Sequence, residues 1–173
     1  WRPPADYPLR IRETRNRMID SKTQKQIATL TLRMWEEKAT GGTVFRGLTK
    51  GKERGHRMAD FVDERTTALL ETHFTTRFQS GACGKARSRS MGDVWLKSGG
   101  IFNPIHVKPG VAGANGQPNL VSLKKLLRVL LQDRIDSYYL LFVKFKLDAE
   151  PELMVFLVDL LEYLDFATYD DGP

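Results

Sequence analysis

Apolar residues recur at helical spacing in two early stretches of the chain. Across Ser21 to Lys38, Ile27, Leu30, Met34 and Trp35 fall on one helix face. Across Met58 to Phe74, a second stripe is formed by Met58, Phe61, Val62, Leu69 and Phe74, with Asp60, Glu64 and Glu71 on the other side. The pattern changes after Gly92. Asp93-Val-Trp-Leu96 reads as a short strand, Lys97-Ser-Gly-Gly100 as a turn and Ile101 to Lys108 as a second strand, so the pair predicts a hairpin. Asn119 is placed as the N-cap of a helix running to Gln132, with Leu123, Leu126, Leu127, Leu130 and Leu131 facing inward. Tyr138 to Phe145 is a β-rich apolar run, expected as a central strand. Leu153 to Val158 is expected as a further strand, followed by a short helix to Leu164. The order ααββαββ predicts an α/β fold, a mixed central sheet flanked by helices.

The segments between are polar and rich in Gly, Pro and basic residues. Residues 1–20 are expected to form an irregular arm. Residues 41–57 read as a Gly-rich basic loop carrying Arg46, Lys50, Lys52, Arg54 and Arg57. Gly81 to Ser90 is expected as a loop with Lys85, Arg87 and Arg89, and Pro109 to Pro118 as a Gly-rich loop. No internal repeat interrupts this order, and residues 1–173 are expected to form a single domain.

Composition adds limits. At this length a domain buries about 70% of its unfolded surface, enough for a core without staples. Apolar residues are 41% and charged residues 28%, an ordinary globular balance. The single cysteine, Cys83, excludes an intrachain disulfide and a Cys-based zinc site, and a reducing cytoplasm is the expected setting. It has no His or acid beside it in sequence, which disfavours a thiol nucleophile. No apolar run reaches the roughly 18 residues of a membrane span, so no membrane partner is expected. The start, Trp1-Arg-Pro-Pro, lacks Met and the form of a signal peptide, and the end, Asp170-Asp-Gly-Pro, is abrupt; further residues are expected beyond both.

Charge is unevenly spread. The total is +6, made of +8 over residues 1–57, +2 over residues 58–108 and −4 over residues 109–173. A basic N-terminal third on a neutral-to-acidic body fits a localised surface for a polyanion.

Polyanion binding gains chemical meaning at the hairpin. Phosphodiester hydrolysis needs a divalent cation to neutralise the phosphate and an activated water. Magnesium takes oxygen ligands and keeps several waters, so one or two carboxylates beside a lysine are the minimum equipment. Asp93 stands at the start of the first strand. His106 and Lys108, two residues apart on the second, share a face.

The segment Gly92-Asp-Val-Trp … Asn103-Pro-Ile-His-Val-Lys108 resembles the catalytic hairpin of the PD-(D/E)XK superfamily. The stretch C-terminal to the hairpin is similar to the type II restriction endonucleases of that superfamily: the loop Gly110 to Gly116, the step Gln117-Pro-Asn119, the helix start Val121-Ser-Leu-Lys-Lys125 and the strand Ser137 to Lys144. The resemblance implies a restriction-endonuclease-like core and a site-specific double-stranded DNA endonuclease that uses Mg2+, with Mn2+ as a substitute. It implies a homodimer, because a two-fold protein matches palindromic DNA. It assigns catalysis to Asp93, His106 and Lys108 and the metal to Asp93 and His106. It also implies an acid from the helix before the hairpin, for which Glu64 is the first candidate and Asp60 the second. Asp60 and Glu64 are four apart and share a helix face. The sequence departs from the superfamily at His106, where Asp or Glu is usual. A neutral imidazole suits magnesium poorly and softer cations better.

Candidate DNA contacts are suggested by residue type. Gln117 and Asn119 carry amides able to pair with adenine edges, although a turn and an N-cap also explain them, and for Asn119 the N-cap is favoured. Lys124 lies on an outer helix face, and Lys50, Lys52, Arg54 and Arg57 in the basic loop can track phosphates. Two other classes share parts of this pattern. A non-catalytic DNA-binding protein would bind without metal, and a structure-specific nuclease of the same superfamily would prefer branched or RNA substrates. A ββα-metal nuclease is disfavoured, because the three histidines are widely spaced.

Overall fold

The computed structural model describes residues 18–40, 52–76, 92–111, 126–127, 130–131, 135, 137–146 and 152–166. Two helices, α1 (Ser21–Thr40) and α2 (Lys52–His73), precede a four-stranded sheet. The strands are β1 (Val94–Ser98), β2 (Ile101–Val111), β3 (Tyr139–Lys146) and β4 (Glu152–Asp159), and a 3-10 helix covers Leu160–Phe166. The sheet runs in the order β1-β2-β3-β4; β1 and β2 are antiparallel, β2 and β3 parallel, and β3 and β4 antiparallel. The fold is therefore mixed α/β with a mixed sheet and helices upon it.

The pleat divides the core in two. Val94, Leu96, Ile105, Val107, Tyr139, Leu141, Val143 and Phe145 pack with Ile27 and Trp35 of α1 and Val62 and Leu70 of α2. On the opposite face Trp95, Tyr138, Leu140 and Phe142 pack with Leu126, Ile135 and Leu160. β3 is buried on both faces, which is why its sequence reads as an unbroken apolar run. Trp35 fixes the helix layer: its indole N–H donates to Thr66 Oγ1 at 3.1 Å, and it meets Phe61 and Phe145 edge-on at 5.9 and 5.7 Å. No helix among the described residues is long and apolar enough to cross a membrane.

Four features depart from the sequence reading by more than a residue or two at an element's end or in the face they present. First, the expected arm over residues 1–20 ends in ordered structure. Ile19 is buried, its N–H donates to the Tyr139 hydroxyl at 3.1 Å, and Asp20 caps α1. Asp20 Oδ1 accepts the N–H groups of Lys22 and Thr23 at 3.0 and 2.9 Å, which orients two free amides of the first turn. Second, the expected loop over residues 41–57 gives way to helix at Lys52, because Lys52, Glu53, Arg54, Arg57 and Met58 are good helix formers that outweigh Gly55. Third, Pro109 and Gly110, expected in a loop, lie in β2, which runs to Val111. Fourth, Leu127 and Leu131, expected inward, are 48% and 78% exposed, whereas Leu126 is buried.

Asp20→Ala is expected to cost about 1 kcal/mol at neutral pH, measured by urea unfolding. The Thr23 amide, first among the causes, holds the Asp20 carboxyl below its usual value. Its contribution is present above the unfolded aspartate pKa and is lost as pH falls through the folded one, so the gap between the two proteins should narrow in acid. An equal gap at pH 7 and pH 3 would contradict the cap.

Asp159 carries the opposite sign. It is buried at the end of β4, and its Oδ1 accepts the N–H groups of Tyr138 at 3.1 Å and Leu161 at 3.0 Å. Its Oδ2 is buried without a hydrogen-bond partner among the described residues. Burial pushes its carboxyl from 3.8 up to about 6. The folded state thus holds this proton more tightly than the unfolded chain. The contribution is full below the unfolded pKa and is lost as pH rises through the folded value of about 6. Asp159→Asn removes this dependence, so the stability difference between the two proteins should change between pH 4 and pH 6. Parallel stability curves over that window would refute it.

Candidate active site

β1 is shorter than β2, and the site lies beside the start of β1. Val94, the first residue of β1, pairs with Ile105, while β2 continues to Val111 along β3. On the β1 side, the main-chain ladder ends with the Asp93 N–H donating to Ile105 O at 2.9 Å. The next β2 donor on that side, the Val107 N–H, is taken by a side chain: Asp93 Oδ2 accepts it at 2.7 Å. A carboxylate thereby stands in for a strand carbonyl and is fixed against β2. Gly92 permits this entry. A Cβ there would stand 3.0 Å from Pro104 Cβ and 3.1 Å from Val94 O, too close to both.

β2 is unbroken through residues 105–108, so alternation puts His106 and Lys108 on one face, opposite Ile105 and Val107. His106 is half-buried. Its Nε2 lies 3.7 Å from Asp93 Oδ2, and its Nδ1 lies 3.2 Å from the hydroxyl of Tyr138. The Tyr138 side chain is fully buried. Burial, reinforced by the Asp93 charge, pushes its phenol pKa up, so the hydroxyl keeps its proton across the ordinary pH range. Lys108 is half-buried. Burial draws its pKa down, against the charges of Asp93 and Asp63, which raise it.

The structure sets Asp93 beside His106, and Lys108 shares the face of His106 and feels the Asp93 charge. The α2 carboxylate felt at Lys108 is Asp63, which the sequence reading did not select. Asp60 and Glu64, the two acids that reading placed on α2, are exposed. Asp63 is half-buried, and Thr67 Oγ1 donates to its Oδ1 at 3.2 Å. Sequence pattern alone does not single it out: only the burial of Thr66, Thr67 and Leu70, three, four and seven residues beyond Asp63, places it beside the buried face. Lys144 was also missed. It pairs in register with Gly110, two positions beyond Lys108, and its side chain passes 3.5 Å from where a Gly110 Cβ would stand.

Two oxygen or nitrogen donors of one octahedral cation about 2.1 Å from each lie roughly 3 Å apart when adjacent and roughly 4.2 Å when opposite. The 3.7 Å between Asp93 Oδ2 and His106 Nε2 matches neither value, so the two side chains would have to draw together to hold one octahedral cation. Magnesium keeps several waters, so it needs no more than one or two protein donors. No group of three or more His, Cys, Asp or Glu side chains placed to hold a metal occurs among the described residues.

Among the expected DNA contacts, Lys52, Arg54 and Arg57 fall in the first turns of α2. Lys50, Gln117, Asn119 and Lys124 lie outside the described residues. His73, exposed at the end of α2, has its Nδ1 3.0 Å from Leu69 O one turn back. No family model matches the chain, and neither the curated proteins nor the solved structures yield a match.

Proposed function

We propose that this chain is a divalent-cation-dependent endonuclease acting on double-stranded DNA, of the type II restriction kind. The observation that carries this reading is the convergence of Asp93, His106 and Lys108 beside the start of β1. Asp93 and His106 would hold the cation. The cation, when bound, neutralises the scissile phosphate and lowers the pKa of a water. Lys108 places a cationic ammonium on the same face, where it stabilises the charge that develops on phosphate oxygens. Burial draws the pKa of that ammonium down, and the charges of Asp93 and Asp63 offset part of this. Lys144 extends the cationic row along β3 and would contact a neighbouring phosphate. A homodimer on palindromic duplex is part of the proposal.

Incubation with supercoiled plasmid and Mg2+ or Mn2+ tests it. Discrete fragments support a site-specific enzyme. Binding without cleavage in either metal would leave a DNA-binding protein, and selective cutting of four-way junctions or RNA would make it a structure-specific nuclease. With an imidazole in place of a second carboxylate, Mn2+ is expected to support cleavage at lower concentration than Mg2+. His106→Asp should lower the Mg2+ requirement. An unchanged requirement would put His106 outside the metal's ligands.

A further inference from the structure

The two faces of the sheet are covered unequally. α1 and α2 pack over one face, against Tyr139, Leu141, Val143 and Phe145 of β3. On the other face Leu126, Ile135 and Leu160 pack with Trp95, Tyr138 and Leu140, and this cover thins along β4. Val158 is partly buried against that cluster, but Phe156 is 42% and Met154 38% exposed. Phe156 lies with one side of its ring on buried Phe142, the centroids 4.8 Å apart and the planes 20° from parallel. Strand register sets Lys108, Phe142 and Phe156 in one row across this face, and Gly110, Lys144 and Met154 in the next. The Lys144 side chain leans toward β2. Its Nζ is 3.5 Å from where a Gly110 Cβ would stand and 5.8 Å from the centre of the Phe142 ring. Positive charge therefore runs along β2, where Lys108 stands two residues before Gly110, and aromatic surface faces out along β4.

A nucleotide has the same two parts side by side, an anionic phosphate and a flat base. Stacking of a base on an aromatic ring is tolerant of sequence, because every base has a π face, and cations beside the ring track the phosphates. An apolar partner docked here would strip water from the Lys144 ammonium without supplying an anion, a cost that a phosphate offsets. We propose that this face binds an unpaired nucleotide, its base stacked on Phe156 and its phosphate held at Lys144. Inside a duplex both faces of a base are taken by its neighbours in the stack, so on duplex DNA the base has to leave it. The proposal needs neither a cation nor cleavage and does not rest on the nuclease reading.

Fluorescence anisotropy in EDTA tests it on short labelled strands of equal length: oligothymidylate, oligouridylate and an abasic strand that keeps the phosphates and lacks the bases. The unmutated protein should bind a base-bearing strand roughly 5–100-fold more tightly than the abasic one, the usual weight of stacking on one aromatic side chain. A gain on oligothymidylate assigns DNA and a gain confined to oligouridylate assigns RNA; either supports the platform. Phe156→Leu keeps an apolar side chain at an exposed position and should bring the base-bearing strands down to the abasic level. Phe156→Tyr should restore the difference. Lys144→Gln should weaken all the strands alike and flatten the slope of log affinity against log salt by about 0.7. Equal binding of all the strands by the unmutated protein, or an undiminished difference in folded Phe156→Leu, overturns the proposal. A protein that binds none of them but dimerises through Phe156, read by sedimentation of parent and Phe156→Leu, overturns it too and makes this face a contact between copies of the chain. Plasmid cleavage by a protein indifferent to the bases would leave the nuclease reading standing without the platform. Base-dependent binding by a protein that cuts no DNA would do the reverse.

Discussion

Lys108→Ala is expected to lower DNA cleavage by about 10²–10³-fold, the usual loss when one preorganised donor to a developing negative charge is removed. DNA binding and folding should change little. Lys108 is half-buried on the face opposite the α1 and α2 layer, and the cluster beneath those helices is built from Ile105 and Val107 instead. Burial lowers the pKa of its ammonium, and the charges of Asp93 and Asp63 offset part of that effect. Lys108→Arg should not restore full activity, because a planar guanidinium does not reproduce a compact ammonium. Cleavage rates on plasmid at saturating metal, together with gel-shift binding, separate the two effects. A variant that binds and cuts like the parent would remove Lys108 from the chemistry.

The strands were the most legible part of this chain. Tyr138 to Phe145 reads as a central strand because both of its faces are apolar, and the sheet buries both. The end of β2 was hidden by Pro109 and Gly110, which read as a turn. Inter-strand bonds explain why they do not break the strand. Val107 directs its N–H toward β1, so Pro109, two residues on, directs its ring nitrogen to the same side, beyond the reach of β1 and Asp93. A proline there removes no ladder bond, while Pro109 stays in register with Val143. The five leucines from Leu123 to Leu131 predict a wide buried stripe; Leu126 is covered and Leu127 is not, because periodicity gives the direction of a face but not the breadth of what covers it. The hairpin site was legible because two-residue alternation sets His106 and Lys108 side by side regardless of tertiary detail. The acid on α2 was not. Asp60, Asp63 and Glu64 lie within little more than one helical turn, and choosing among them needs the helix rotation that Thr66, Thr67 and Leu70 fix by packing. Tyr138 was also out of reach of local pattern, since its contact with His106 spans 32 positions.

Asp93 has two roles that a pair of substitutions can separate. One is geometric: Oδ2 accepts the Val107 N–H at 2.7 Å beside the start of β1. The other is electrostatic: the same oxygen faces His106 Nε2, and its charge is felt at Lys108 and Tyr138. Asn keeps a carbonyl oxygen for Val107 and removes the charge. Asp93→Asn is therefore expected to fold with nearly the parent stability while cleavage falls by about 10³-fold or more, since the anionic donor to the cation is lost. Removal of a negative charge beside the phosphate path should leave DNA binding equal or tighter. Asp93→Ala loses both roles. Beyond the same loss of cleavage, it leaves the Val107 N–H without its acceptor, at a cost of about 1.5–3 kcal/mol for a hydrogen bond to a charged group. Urea unfolding of the three proteins reads the geometric role and metal-dependent cleavage reads the electrostatic one. Equal stability of Asn and Ala variants would mean that the Val107 bond contributes nothing to the fold, and retained cleavage in Asp93→Asn would place the cation elsewhere.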